Sequence, residues 1–233
     1  MITRWKDGSG WVGTDLFGSA TGMPVIIACN GPSIAAMDTA KFCGPGRLVI
    51  GVNNVYPRLR PDVWVGMDEP STFPASLFEE PFPKILRAPH FASPMQDGCM
   101  VKWGRRTMFA AVDPDADFYD WTEKAKARWM NNSFSIAVQA ALWMGSREIY
   151  FAGVDMHHRA GDYADHSSLT AEQRASNALL HEHLVAFLRQ FAARAPRIGV
   201  RLTSCSPESR LNEFLSYEHI AKVLARYTPA PCL

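Results

Sequence analysis

The sequence predicts an α/β protein whose mainly parallel sheet carries helices on both faces. Three observations lead there. Short β-branched apolar runs recur along the chain, stretches of helical periodicity separate them, and each of the first three runs stops at a polar residue. With 233 residues and 47% hydrophobic content there is enough apolar material for a real core, which excludes disorder over most of the length.

Residues 1–22 carry several glycines and little periodicity and read as an irregular arm, while residues 23–233 read as one α/β domain. Val25-Ile26-Ile27-Ala28-Cys29 has the continuous apolar character of a strand buried on both faces, and it ends in the turn Asn30-Gly31-Pro32-Ser33. A short helix from Ile34 to Phe42 is expected next. Leu48-Val49-Ile50-Gly51-Val52 predicts a second strand ending at Asn53-Asn54, and Val63-Trp64-Val65-Gly66-Met67 a third ending at Asp68. Prolines at 70, 74, 81, 83, 89, 94 and 114 mark residues 70–128 as a variable insertion of loops and short strands. Order returns at Ser133, where Phe134, Ile136, Ala137, Ala140, Ala141 and Met144 recur at helical spacing before Gly145. A strand Glu148–Ala152 leads to Gly153-Val154-Asp155, a long amphipathic helix covers about Ala171 to Ala193, and a strand Gly199–Thr203 precedes Ser206-Pro207. A short helix around Tyr217 to Arg226 closes the chain.

Several function classes drop out on composition. Lys and Arg number 24 against 23 Asp and Glu, so a net charge of +1 gives no broad basic field for nucleic acid. Lys102, Arg105 and Arg106 form a small basic patch that reads as a solvated face. The five cysteines are odd in number, dispersed and without a CxxC pair, which argues for reduced thiols and no metal site. No apolar run reaches the ~18–20 residues of a membrane span, and the opening MITRWKDGSGWVG lacks the apolar stretch of a secretion signal, so a soluble, cytoplasmic protein is expected.

In a parallel sheet, ligands bind beyond the carboxyl ends of the strands. That rule selects the Asn30 turn, Asn53, Asp68, the Gly153–Asp155 loop and the Cys205–Pro207 turn as one mouth. In the first of these, Gly31 allows close backbone approach, Pro32 pre-sets a helical φ, a helix N-terminus offers amides to a phosphate, and Ser33 adds a hydroxyl. The same residues also describe an ordinary capped turn, and the pattern is neither GxGxxG nor a Walker A loop. Asn53 can place an amide beside a phosphate or ribose, and Asp68 a carboxylate beside a sugar hydroxyl or a metal. The richest segment runs from Gly153 through Asp155, His157, His158, Arg159, Asp162, Tyr163 and Asp165 to His166, with three of the seven histidines in fourteen residues. Such a loop suits proton transfer and stabilisation of a departing phosphate. His157, His158, Asp165 and His166 could also ligate a metal, although their spacing matches no zinc pattern.

Three segments, in order, resemble the bacterial sialyltransferases of glycosyltransferase family 42. V-I-I-A-C-N-G-P-S at 25–33 is similar to the family's nucleotide-binding turn, with Cys29 in place of a glycine; Asn132-Ser133 and S-R-E-I-Y-F-A-G-V-D-M at 146–156 resemble its central helix and strand; L-T-S-C-S-P-E-S-R-L at 202–211 resembles its late turn. Pterin-pyrophosphokinase-like and flagellin-modifying proteins share the first two signatures, and uncharacterised phage proteins the whole order. The resemblance implies a Rossmann-like, GT-A-like single nucleotide-binding domain, a CMP-activated donor, no required cofactor or metal, and inverting transfer to a hydroxyl. By position, Asn30 and Asn53 would contact the donor's phosphate and ribose, and Asn132 and Ser133 would line the nucleotide pocket. Tyr163 would steady the leaving phosphate, and His157 replaces the family's first tyrosine. The family's general base is a histidine before the long helix; His166 falls early and His181 late, and His166 is favoured because it lies beside Tyr163.

The leading expectation is therefore a glycosyltransferase acting from a nucleotide-sugar donor, with a glycan, a protein or modified nucleic acid as acceptor. The alternatives are a Mg²⁺-dependent pyrophosphokinase of the pterin type, with Asp68 and Asp155 on the metal, and a non-catalytic nucleotide-binding module. Oligomeric state stays open.

Overall fold

The computed structural model describes residues 2–6, 10–92, 94, 106–158, 163–164 and 169–227. In chain order the strands are β1 (Ile2–Lys6), β2 (Gly10–Gly13), β3 (Val25–Ala28), β4 (Leu48–Val52), β5 (Val63–Val65), β6 (Lys84–Arg87), β7 (Thr107–Ala110), β8 (Val112–Asp113), β9 (Ala127–Arg128), β10 (Glu148–Ala152), β11 (Arg201–Ser204) and β12 (Ser216–Tyr217). The helices are α1 (Ser76–Glu79), α2 (Ser133–Trp143), α3 (Ala171–Arg194) and α4 (Ile220–Tyr227). Two compact units divide the chain: Met1–Thr21 with Ile50–Gly145, and Gly22–Val49 with Ser146–Leu233.

In the first unit the strand order is β4-β5-β6-β7-β1-β2. β4 to β7 run parallel, with Ile50 opposite Val63 and Ile85 opposite Met108; β1 joins β7 and β2 antiparallel. Every residue of α2 is buried, which explains a helix apolar nearly all round. Of its three polar residues, Ser133, Ser135 and Gln139, the last uses its amide as a surrogate strand, accepting from Arg128 N at 2.7 Å and donating to Arg128 O at 3.0 Å. The second unit is parallel throughout in the order β12-β11-β10-β3, with Ala152 opposite Ala28 and Phe151 opposite Ser204. All four residues of β3 are buried, as its unbroken apolar run requires. α3 contrasts with α2: it starts in a capping box between Thr170 and Gln173 and buries only Leu184, Val185, Leu188 and Phe191.

The mainly parallel α/β sheet flanked by helices agrees with the sequence, and β3, β4 and β10 fall where the apolar runs place them. Four expectations need correction. The arm read as irregular contains β1 and β2, whose short runs are hidden by neighbouring glycines. The helix expected over Ile34–Phe42 is two 3₁₀ turns, Pro32–Ala36 and Thr39–Lys41, because Met37 takes an extended conformation between them. The insertion at 70–128 supplies two parallel strands of the sheet, β6 and β7. β6 is disguised by Lys84 at its start, which is buried yet donates to Glu80 O at 2.6 Å and Phe82 O at 3.0 Å; burial pulls its ammonium down to about 8. The last helix starts at Ile220, not near Tyr217, which lies in β12. No helix among the described residues is long and apolar enough to cross a membrane.

Candidate functional site

In the second unit, two turns interlock at the carboxyl ends of β3 and β10. The parallel ladder continues past both strands through Cys29 N to Ala152 O and Gly31 N to Gly153 O, each 2.9 Å. Only glycines permit this approach. A Cβ on Gly31 would stand 2.5 Å from Gly153 O and 2.7 Å from Asp155 Oδ2, and one on Gly153 (φ +68°) would stand 2.2 Å from Cys29 O. The Asp155 carboxylate, which is buried, accepts from Ser33 N at 2.8 Å. The turn after β11 locks the pair from the third side: Ser33 Oγ donates to Ser206 Oγ (2.9 Å), Val154 N donates to the same oxygen (3.2 Å), and Ser209 Oγ donates to Val154 O (2.5 Å). Asn30, Gly31, Pro32, Ser33, Gly153 and Asp155 are thus brought together as the sequence expected. Ser206, from the Cys205–Pro207 turn that the sequence placed at this mouth, and Ser209 complete the group.

The amides of this turn are not open to a phosphate. Gly31 N is bonded to Gly153 O, Pro32 has no N–H, Ser33 N is held by Asp155, and Ile34 N is bonded to Gly31 O. That corrects the expectation of an anion-binding helix N-terminus: the helical segment is one short 3₁₀ turn already capped by a carboxylate. What remains open is a side chain. Asn30 is 7% exposed, and among the described residues neither its Nδ2 nor its Oδ1 has a hydrogen-bond partner. Asp155 Oδ1 is likewise buried and unpartnered. Such groups each cost about 1–3 kcal/mol and call for a cause.

Of the residues after Asp155, 163–164 approach this turn. Ala164 N donates to Asn30 O at 2.9 Å, which brings Tyr163 beside it, and the Tyr163 hydroxyl accepts from Asn177 Nδ2 at 3.3 Å. His157 Nε2 lies 2.8 Å from Glu208 O. A carbonyl only accepts, so Nε2 carries the proton in this contact. His158 stacks on His181 with centroids 5.1 Å apart. Burial first, then His158, Arg210 and His157, lower the His181 pKa to about 4. His183, two residues on, is exposed. Arg210 grips Glu182 through two bonds of 2.6 and 3.0 Å and holds that carboxyl below its usual range. His166 and Asp165 lie outside the described residues. The thiols flanking the group are inert: burial pushes both Cys29 and Cys205 up, Cys205 to about 12.

The other expected site residues lie in the first unit. Asn53 (φ +48°) donates from Nδ2 to Asp68 Oδ2 at 3.1 Å, and its Oδ1 is buried without a partner. Burial raises the Asp68 pKa against the opposing pull of His90 and Asn53. Asn132 caps α2, accepting from Ser135 N at 2.7 Å, and Ser133 Oγ, buried, accepts from Met67 N at 2.9 Å. Both are therefore already engaged in fixing the start of α2 beside the end of β5. Among the described residues no group of three or more His, Cys, Asp or Glu side chains is placed to hold a metal ion. A groove of about 430 Å³, lined by Ala192, Pro196, Val200, Leu202 and Phe214, opens at the amino end of β11, the opposite end of that strand from Ser206.

No protein-family model and no curated protein matches the chain. Solved structures do. The fold is similar to that of the sialyltransferase CstII from Campylobacter jejuni in complex with the substrate analogue CMP-3FNeuAc, at a TM-score of 0.50 and 16% identity over 84% of this chain and 86% of that one. A structure of the same enzyme with cytidine-5'-monophosphate gives a TM-score of 0.50 and 16% identity over 84% and 85%. At this identity the likeness is one of fold: a sialyltransferase-like, mainly parallel α/β architecture.

Proposed function

We propose that the protein is a glycosyltransferase that takes its sugar from a CMP-linked donor. The observation that carries this reading is the buried Asn30 amide, unpartnered on both atoms among the described residues, at the carboxyl end of β3. The fold is the one seen in an enzyme solved with CMP and a CMP-sugar analogue. A neutral amide can give one N–H to a phosphate oxygen and accept one hydrogen from a ribose or base. Together with Asp155 beside it, this polarity favours a single phosphoester over a polyphosphate, whose charge would meet a carboxylate and spent backbone amides. In the transfer step the bond between the sugar and the CMP phosphate breaks, and negative charge grows on the leaving phosphate. Asn30 Nδ2, the Tyr163 hydroxyl and, when protonated, His157 are the donors that would stabilise it. A histidine takes the acceptor's proton as its oxygen bonds to the sugar; His166 is the assigned base.

Thermal-shift titration against CMP, UDP, GDP, dTDP and ATP, with and without Mg²⁺, tests the reading. A CMP-selective rise in melting temperature that needs no metal is expected. A shift confined to ATP with Mg²⁺ would replace it with the pyrophosphokinase reading.

A further inference from the structure

A parallel sheet returns each crossover helix to the amino end of the next strand, and at the start of β11 that return carries a run of arginines. Between Glu182 and Glu208 the chain holds Arg189, Arg194, Arg197 and Arg201 and no Asp or Glu, in a protein whose basic and acidic totals are 24 and 23. α3 ends at Arg194, the 3₁₀ turn Ala195–Ile198 carries Arg197, and Arg201 opens β11. Arg147 joins them from the loop before β10, where its carbonyl accepts from Arg201 N at 2.8 Å. Arg147, Arg194, Arg197 and Arg201 are all exposed. Glu148 pairs with Arg201, and Glu213 with Arg189 at 2.7 Å, so these two carboxylates are matched. The rest of the turn is apolar. Ile198 is 37% exposed at its end, and beside it opens the groove of about 430 Å³ lined by Ala192, Pro196, Val200, Leu202 and Phe214.

The geometry points to this end of the second unit as a surface that docks on an anionic lipid bilayer. Exposed guanidinium groups meet the phosphates of the headgroups, while Ile198 and the mouth of the groove take up acyl atoms just beneath them. Charge alone would serve a nucleic acid equally well. An aliphatic tip and an apolar groove would not, because binding of unpaired bases relies on aromatic faces, and the one ring that lines the groove, Phe214, already lies 5.1 Å under the Arg189 guanidinium. The surface stands at the opposite ends of β10 and β11 from the turns after Ala152 and Ser204. A bilayer held there leaves the Asn30 turn facing the aqueous phase. The assignment rests on residues of the second unit alone and is independent of the nucleotide reading.

Flotation of the intact chain with lipid vesicles tests the surface without requiring turnover. The protein is expected to rise with vesicles made of equal parts phosphatidylcholine and phosphatidylglycerol and to stay behind with phosphatidylcholine alone. Arg194→Gln combined with Arg197→Gln should weaken binding to the anionic vesicles by about fivefold for each charge removed. Ile198→Asn, which keeps every charge, should weaken it by about threefold or more. Melting curves verify that both variants fold, and their response to CMP should match that of wild type. A mixed-sequence oligonucleotide, compared at equal phosphate concentration, should bind less tightly than the anionic vesicles. Equal flotation with both kinds of vesicle, undiminished flotation of either folded variant, or tighter binding of the oligonucleotide would each overturn the assignment.

Discussion

The turn after β3 and the end of β6 are both polar edges of parallel strands, yet they use their polar groups in opposite ways. Around Asn30, backbone amides, the Asp155 carboxylate and the Ser33, Ser206 and Ser209 hydroxyls are consumed in holding three turns together, and one neutral amide is left over. At the end of β6 the side chains pair more loosely: Glu69 meets the buried His90 and Arg87 lies over Trp129, with its buried Nε making no hydrogen bond among the described residues. A polar residue at a strand end is therefore not in itself a ligand contact. The residues that matter are those the fold does not satisfy.

If the Asn30 side is a rigid clasp, its glycines are the points of greatest leverage. Gly153→Ala forces a Cβ to 2.2 Å from Cys29 O at a positive φ and should cost about 3 kcal/mol or more. Chemical denaturation would show a collapse of the transition midpoint, and an unchanged midpoint would mean that the two turns are not locked. Asp155→Ala leaves Ser33 N and its own pocket unpaired and should cost about 2 kcal/mol. Asp155→Asn, which can still accept from Ser33 N, should recover roughly half of that in the same assay.

The smallest stability effect is the acid response of the stacked histidines. Folding lowers the His181 pKa from its ordinary value of 6.5 to about 4, so the unfolded chain takes up the proton first. This stability is complete above about pH 6.5 and is lost as pH falls from there towards about 4. The half-exposed surroundings discount it to on the order of 1–2 kcal/mol. Melting temperature followed from pH 7.5 to 4.5 should fall less steeply in His181→Phe than in wild type, whereas parallel slopes would remove His181 from the pH response.

How far the sequence revealed this molecule follows the same physics. β3 and β10 were legible because strands buried on both faces must be continuously apolar, and α2 because a fully buried helix must be apolar all round. β6 was not, since it opens on Lys84, which is solvated by carbonyls that only the folded loop supplies, and neither was β7, a four-residue strand that opens on Thr107. The Asn30–Ser33 turn was visible from its glycine and proline. The strand-end rule placed Asp155 and Ser206 at the same mouth, but their hydrogen bonds to Ser33 were not legible, because the partners lie 122 and 173 residues away. Arg87 and Trp129 carried no sequence signal at all: their pairing depends on where β6 ends.

Asn30 offers the most direct test. Its amide is a burden on the empty protein, so Asn30→Ala should leave the melting temperature unchanged or raise it, while CMP affinity measured by isothermal titration falls by about tenfold or more. Undiminished CMP binding in a folded Asn30→Ala protein, or a loss of stability in the absence of nucleotide, would contradict the assignment of this residue to the ligand.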